Sequence, residues 1–180
     1  QHLAGGFEVG MRFHSAPVIR LADGKPMQLG HVVRADARWR LFVFADRGAP
    51  AEDSRFAALM RFLDSDPRSP VQNFTPPEDD PDTVIDLRAV MQQGFRELNI
   101  SDLPPLLRPA KGKLGLIDYE KVFSPNLKNH QNIYDLRQIN RDEGCVLIVR
   151  PDQYVADVMP LDDHESLARF FENILVRIAR

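Results

Sequence analysis

The chain has 180 residues, 43% hydrophobic and 27% charged, with a formal net charge of -3. That length can bury a sizeable single core, and a balance so near neutrality gives no reason to expect nucleic acid or an anionic membrane as partner. No apolar run approaches the roughly 18–20 residues of a bilayer span. A single cysteine excludes an internal disulfide framework, so the cytoplasm is the expected compartment.

Residues 1–10 carry Gly5, Gly6 and Gly10 and read as a linker from an upstream domain. The start at glutamine fits excision from a longer polypeptide. These glycines follow no strand and do not match a dinucleotide-binding turn. Residues 17–21 and 25–29 flank Ala22-Asp23-Gly24, an Asp-Gly hairpin signal in which glycine supplies the positive φ. Trp39-Arg40-Leu41-Phe42-Val43-Phe44 is nearly continuous in apolar and aromatic residues, as in a strand buried on both faces.

A helix is predicted over residues 51–64, where Phe56, Leu59, Met60 and Leu63 form one stripe. Pro50 suits its first position, Glu52 and Asp53 suit its positive end, and Pro67 stops it near Asp66. Residues 65–82 hold five prolines and the acidic run Glu78 to Asp82, an exposed, stiffened loop rather than a calcium site, whose regular oxygen spacing is missing. Residues 83–90 return to extended character, with Ile85, Leu87 and Ala89 on one face, as a parallel partner of the Trp39 strand.

Residues 91–143 are least periodic. Helical turns are expected near residues 91–98 and 101–107. Beyond them a long insertion carries Leu114, Leu116, Ile117, Tyr119, Val122, Phe123, Ile133, Tyr134 and Leu136. A stretch of this kind packs against something or carries function. Cys145–Val149 is a continuous apolar strand, Arg150-Pro151-Asp152-Gln153 a turn, and residues 154–159 the return strand. Asp162 is placed to cap a last helix with Glu165, along which Leu167, Phe170, Phe171, Ile174, Leu175 and Ile178 repeat, with Arg177 and Arg180 at its negative end.

In order these are a hairpin, β-α-β, an insertion and β-β-α. The pattern is α/β: a thioredoxin-like mixed sheet flanked by helices, with an N-terminal hairpin and a long insertion, filling residues 11–180. The loop after the Trp39 strand holds no cysteine, and Cys145 is the only thiol. A dithiol couple needs two sulfurs within bonding reach, so the domain lacks the redox pair.

No other chemistry-bearing constellation is present. There is no P-loop and no serine elbow, and the five histidines show no metal-ligand spacing; His164 is expected to be solvated. The basic residues Arg108, Lys111, Lys113, Lys121 and Lys128 read as a solvated face, and Cys145 as a small buried hydrophobe.

Several stretches resemble a known family. Gly10-Met11-Arg12-Phe13, Leu21-Ala22-Asp23-Gly24-Lys25-Pro26, Trp39 to Phe44, Gly115-Leu116-Ile117-Asp118-Tyr119-Glu120-Lys121-Val122-Phe123 and Val149-Arg150-Pro151-Asp152-Gln153-Tyr154-Val155-Ala156 are similar to the C-terminal domain of FAD-dependent aromatic hydroxylases. The likeness is to the phenol hydroxylase and 3-hydroxybenzoate 4-hydroxylase type. It implies a non-catalytic structural and dimerisation domain of a parent enzyme that uses FAD and NADPH to hydroxylate a phenolic ring. No catalytic, cofactor-binding or metal residue is then expected in this segment. Its partners would be the upstream domains and a second subunit, with Tyr119, Phe123 and Tyr134 as interface candidates, and residues 71–74 as a further contact. Two alternatives stand beside it: a stand-alone redox-inactive adaptor, and a one-cysteine thiol peroxidase using Cys145.

Overall fold

A computed structural model describes residues 2–128 and 131–177. Its main sheet contains β1 (Pro17–Arg20), β2 (Pro26–Gln28), β3 (Trp39–Phe44), β4 (Ile85–Val90), β7 (Val122–Pro125), β8 (Cys145–Val149) and β9 (Val155–Met159). The order is β2-β1-β7-β4-β3-β8-β9. β3, β4 and β7 run parallel as neighbours, and the remaining pairings are antiparallel. A separate two-stranded hairpin joins β5 (Ala110–Lys111) to β6 (Leu116–Ile117). The helices are α1 (Arg55–Ser65), α2 (Pro70–Phe74), α3 (Ile133–Leu136) and α4 (His164–Glu172).

Strand alternation divides the core in two. Leu41, Val43, Ile85, Leu87, Ala89, Val146 and Ile148 face Phe56, Leu59, Met60 and Leu63 of α1, Val71 and Phe74 of α2, and Leu167 and Phe171 of α4. Phe42, Phe44, Val90, Cys145, Leu147 and Val149 face the opposite way, toward Leu3, Phe7, Phe13, Leu29, Ile133 and Tyr134. The three longer helices thus share one face. The other is closed by irregular chain, the short α3 and an aromatic stack of Phe7 on Phe13 (5.5 Å) and Phe13 on Phe42 (4.8 Å). Each such fully buried side chain contributes about 1.5–3 kcal/mol.

The Asp-Gly hairpin, the Trp39 strand, its parallel partner and the β8–β9 return all form where their patterns place them, and Gly24 takes φ +66° in the turn. Several expectations need correction. Residues 2–10, expected as a linker, pack on the domain. Leu3, Ala4 and Phe7 are buried, and the Gly5 and Gly6 amides donate to the Gln138 and Arg137 carbonyls. α1 begins at Arg55 rather than residue 51, with Ser54 as its cap, so Pro50, Glu52 and Asp53 precede the helix. Residues 65–82 are not simply an exposed loop. Ser69 caps α2 with Pro70 at its first position, and Val71 and Phe74 are buried.

Residues 91–98 form no helix, and the second expected turn is two 3-10 segments, Ile100–Asp102 and Pro105–Leu107. Asp163, one residue past the expected cap, accepts from the Ser166 amide of α4. That helix ends at Glu172, leaving Ile174 half exposed; Ile178 and Arg180 lie outside the described residues. The long insertion hides a strand, β7, which sits between β1 and β4 near the centre of the sheet.

Candidate functional site

The loop between β3 and α1 is where a thioredoxin-like fold would carry its thiols. A cysteine at a helix N-terminus has its thiolate stabilised by the free backbone N–H groups there. In this chain those groups are already occupied. The buried Asp46 carboxylate accepts from the Arg55 amide (3.3 Å) and the Phe56 amide (3.0 Å). Ser54 Oγ accepts from the Ala57 amide (3.1 Å), and the Ser54 carbonyl accepts from the Ala58 amide (3.1 Å). A fixed negative charge and a hydroxyl replace the sulfur chemistry with capping. Gly144, at φ +64°, lets the chain pass close: a Cβ there would meet the Phe44 carbonyl oxygen at 2.4 Å.

Cys145 is fully buried in β8, and burial pushes its thiol up to about 12. A thiol this buried and this weakly acidic is a poor nucleophile, which argues against the peroxidase reading. No group of three or more metal-ligating side chains exists among the described residues. His164 is not simply solvated: it stacks on Phe62 at 4.6 Å, and burial lowers its pKa.

The three interface candidates separate. Phe123 is fully buried in β7. Tyr134 is also buried, its hydroxyl donating toward the Val90 carbonyl (2.8 Å) and the Ala45 carbonyl (3.0 Å) at the ends of β4 and β3. Both are core residues of this domain, as are Val71 and Phe74, so none of these four offers a contact surface. Tyr119 is different. It is 43% exposed and follows the β5–β6 hairpin, where Leu114 is 84%, Leu116 69% and Ile117 42% exposed. Gly112 and Gly115, both at positive φ, make the turn. Clustered aliphatic side chains at the tip of a short hairpin form an apolar patch that water does not favour. The insertion over residues 114–136, expected from the sequence to bury apolar side chains against a partner, thus exposes its aliphatic tip and Tyr119.

The root of this hairpin is held by charge. Lys111 Nζ bonds Asp82 (2.8 Å) and Asp118 (3.2 Å), and the Gly112 amide donates to Asp80 (2.7 Å). Lys121, buried with only 1% of its side chain exposed, bonds the same Asp82 (2.5 Å) and also Asp86 of β4 (2.7 Å). Asp86 accepts from Arg88 Nε (2.9 Å) and lies 3.5 Å from Arg40 Nε. Arg40 Nη2 then bonds Asp36 (2.7 Å). Lys111, Lys121 and Asp82, expected on solvated segments, are therefore the links that fasten the hairpin to the sheet.

Burial raises the pKa of Asp82, but the Lys121 charge and the Lys111 and Lys121 hydrogen bonds outweigh it and hold the carboxyl at about 2. Asp36 is likewise held at about 2, with Arg38 and Arg40 overcoming burial. Both folded values lie below the ordinary 3.8, so this stabilisation is complete above that value and is lost as pH falls toward 2. Stability measured by chemical denaturation is expected to be level from pH 7 to about 5 and to fall steeply between about 4 and 2.

The fold and this site together define a thioredoxin-like domain without a dithiol, bearing an anchored apolar hairpin. A match to a solved structure agrees on the fold: a peroxidoxin BcpB from Mycobacterium tuberculosis superposes with TM-score 0.54 at 11% identity, covering 94% of this chain and 99% of that one. The chain belongs to the family described as phenol hydroxylase, C-terminal dimerisation domain, whose model it matches over residues 1–179. It is 55% identical over 177 residues to a 3-hydroxybenzoate 4-monooxygenase of Comamonas testosteroni, covering 97% of this chain and 28% of that protein. To the FAD-dependent monooxygenase terD of Aspergillus terreus it is 32% identical over 179 residues, covering 97% and 29%. The chain thus spans less than a third of the length of these relatives.

Relatives of that kind raise the question of a flavin here. A dinucleotide's pyrophosphate is held by free amides at a helix N-terminus. Those of α1 and α4 are capped by the Asp46 and Asp163 carboxylates, whose charge would repel a phosphate. These two helix starts do not fit the group, and no step is assigned to it in this chain. No helix among the described residues is long and apolar enough to cross a membrane.

Proposed function

We propose that this chain is the assembly domain of a cytoplasmic FAD- and NADPH-dependent aromatic-ring monooxygenase acting on a phenolic substrate such as 3-hydroxybenzoate or phenol. In this reading it packs against the upstream flavin and substrate domains of the same polypeptide, joins two subunits and supplies no reacting group. The observation that carries it is the conjunction of a capped, cysteine-free loop with an exposed apolar hairpin rooted in buried ion pairs. An exposed apolar patch held by a rigid, ion-paired root suits a binding surface. The β5–β6 hairpin is the subunit contact, with Leu114, Leu116, Ile117 and Tyr119 buried against a second copy.

Sedimentation equilibrium of the 180-residue chain is expected to show a reversible monomer–dimer exchange in the micromolar range. A chain still monomeric at about 0.1 mM would sink the assembly reading, since useful dimer affinities lie well below that. Stoichiometric retention of added FAD by the chain alone would sink the non-catalytic half of it.

A further inference from the structure

Away from the hairpin, a cavity of about 540 Å³ is lined by Arg20 of β1, Lys25 of the Asp-Gly turn, His31, Arg34, Arg38 and Arg88 of β4. Glu120 is its one acidic lining residue, and Met27 and Val32 give it an apolar wall. Volumes of this size hold small organic ligands oriented by a few convergent polar groups.

The cations fall into two sets. Arg20 is bonded to Asp23 (2.6 Å) and Glu120 (2.8 Å), and Arg38 to Asp36 (2.8 Å). Arg88 Nε is bonded to Asp86 (2.9 Å). These guanidiniums are held in place by carboxylates, one of which, Glu120, itself lines the cavity. Lys25, His31 and Arg34 are exposed, and their side chains make no ion pair or hydrogen bond among the described residues. Asp23, whose charge Lys25 also feels, is already committed to Arg20.

We propose that this cavity binds a small phosphate-bearing anion. The paired arginines, their charge offset by carboxylates, form a fixed wall of N–H donors, while Lys25 and Arg34 supply the uncompensated positive charge and His31 a further uncommitted donor. Donors that arrive from a turn, the 3-10 segment Leu29–Val32, a loop and two strands surround a ligand. That suits a tetrahedral group with several charged oxygens better than a carboxylate, which presents one planar edge. Glu120 is held against Arg20 (2.8 Å), which also holds Asp23, so attraction of the anion rests on Lys25 and Arg34.

The test is calorimetric titration of the 180-residue chain at low ionic strength with two probes, inorganic pyrophosphate and ADP, beside the Lys25→Gln/Arg34→Gln double variant. Both substituted residues are exposed and unbonded, so circular dichroism should show an unchanged fold. Saturable binding is expected, weakening with added salt and about tenfold weaker in the double variant. Tighter binding of ADP assigns an organic phosphate whose body rests on Met27 and Val32; equal binding assigns the phosphate groups alone. Either result supports the site. No saturable binding of either probe, or binding unaltered in the double variant, overturns it. Capture of a polyglutamate peptide without pyrophosphate binding also overturns it and assigns the surface to an acidic protein segment.

Discussion

Replacing Lys121 by methionine is expected to destabilise the fold by about 3 kcal/mol, the lower end of what breaking a buried ion pair from one side costs. Methionine keeps most of the stem volume, so the loss is electrostatic rather than a cavity. Asp82 and Asp86 would remain in place, 4% and 0% exposed, with one cation fewer. The cost stays near the lower end because Lys111 still bonds Asp82, and Arg88 still bonds Asp86. Adding Asp86→Asn should recover part of the loss, as coupled partners in one network do. Urea unfolding of the two variants and the parent chain measures both quantities. A Lys121→Met cost below about 1 kcal/mol would mean that the arginines alone neutralise the two carboxylates.

The same residue illustrates where sequence reading stopped. Lys121 looks like any surface lysine, since nothing local to it announces that Asp82 and Asp86, 39 and 35 positions earlier, will meet it in the core. Strands with long apolar runs, β3 and β8, were legible because burial on both faces leaves no alternative composition. β7 was not. It is four residues long, opens after that lysine and ends in Ser124 and Pro125, so neither alternation nor length separates it from a loop. Its strand character comes from β1 and β4 on either side. Similarly, α1 was legible from its stripe but not its start, which depends on Asp46 reaching nine and ten residues forward to bond Arg55 and Phe56.

Which large side chains of the insertion stay exposed was hard to read for a related reason. Large aromatics are enriched at interfaces, but Phe123 and Tyr134 have the shape and, for Tyr134, the hydroxyl partner that an interior position asks for. Periodicity could not say which large side chains of the insertion would be spared burial. Two glycines were the available signal: Gly112 and Gly115, both at positive φ, turn the chain back on itself and leave Leu114 exposed between them.

The double variant Leu114→Glu/Leu116→Glu is therefore expected to raise the dimer dissociation constant by at least about 100-fold while leaving folding stability within about 0.5 kcal/mol. Burying one leucine at an interface is worth about 1.5–3 kcal/mol, and placing a carboxylate in that apolar contact adds a desolvation penalty. In the free chain both side chains already face water, at 84% and 69% exposure, so the fold loses little when they become polar. Phe123→Glu should do the reverse. It would bury an unpaired charge between β1 and β4 and leave little folded protein to assemble. Tyr119→Ala should lie between, weakening the dimer by less than the leucine pair because the residue sits beside the tip rather than on it. Sedimentation velocity paired with thermal unfolding on all three variants separates assembly from folding. If the leucine pair leaves the dimer intact, the subunit contact lies elsewhere on the domain; if it unfolds the chain, the hairpin belongs to the core.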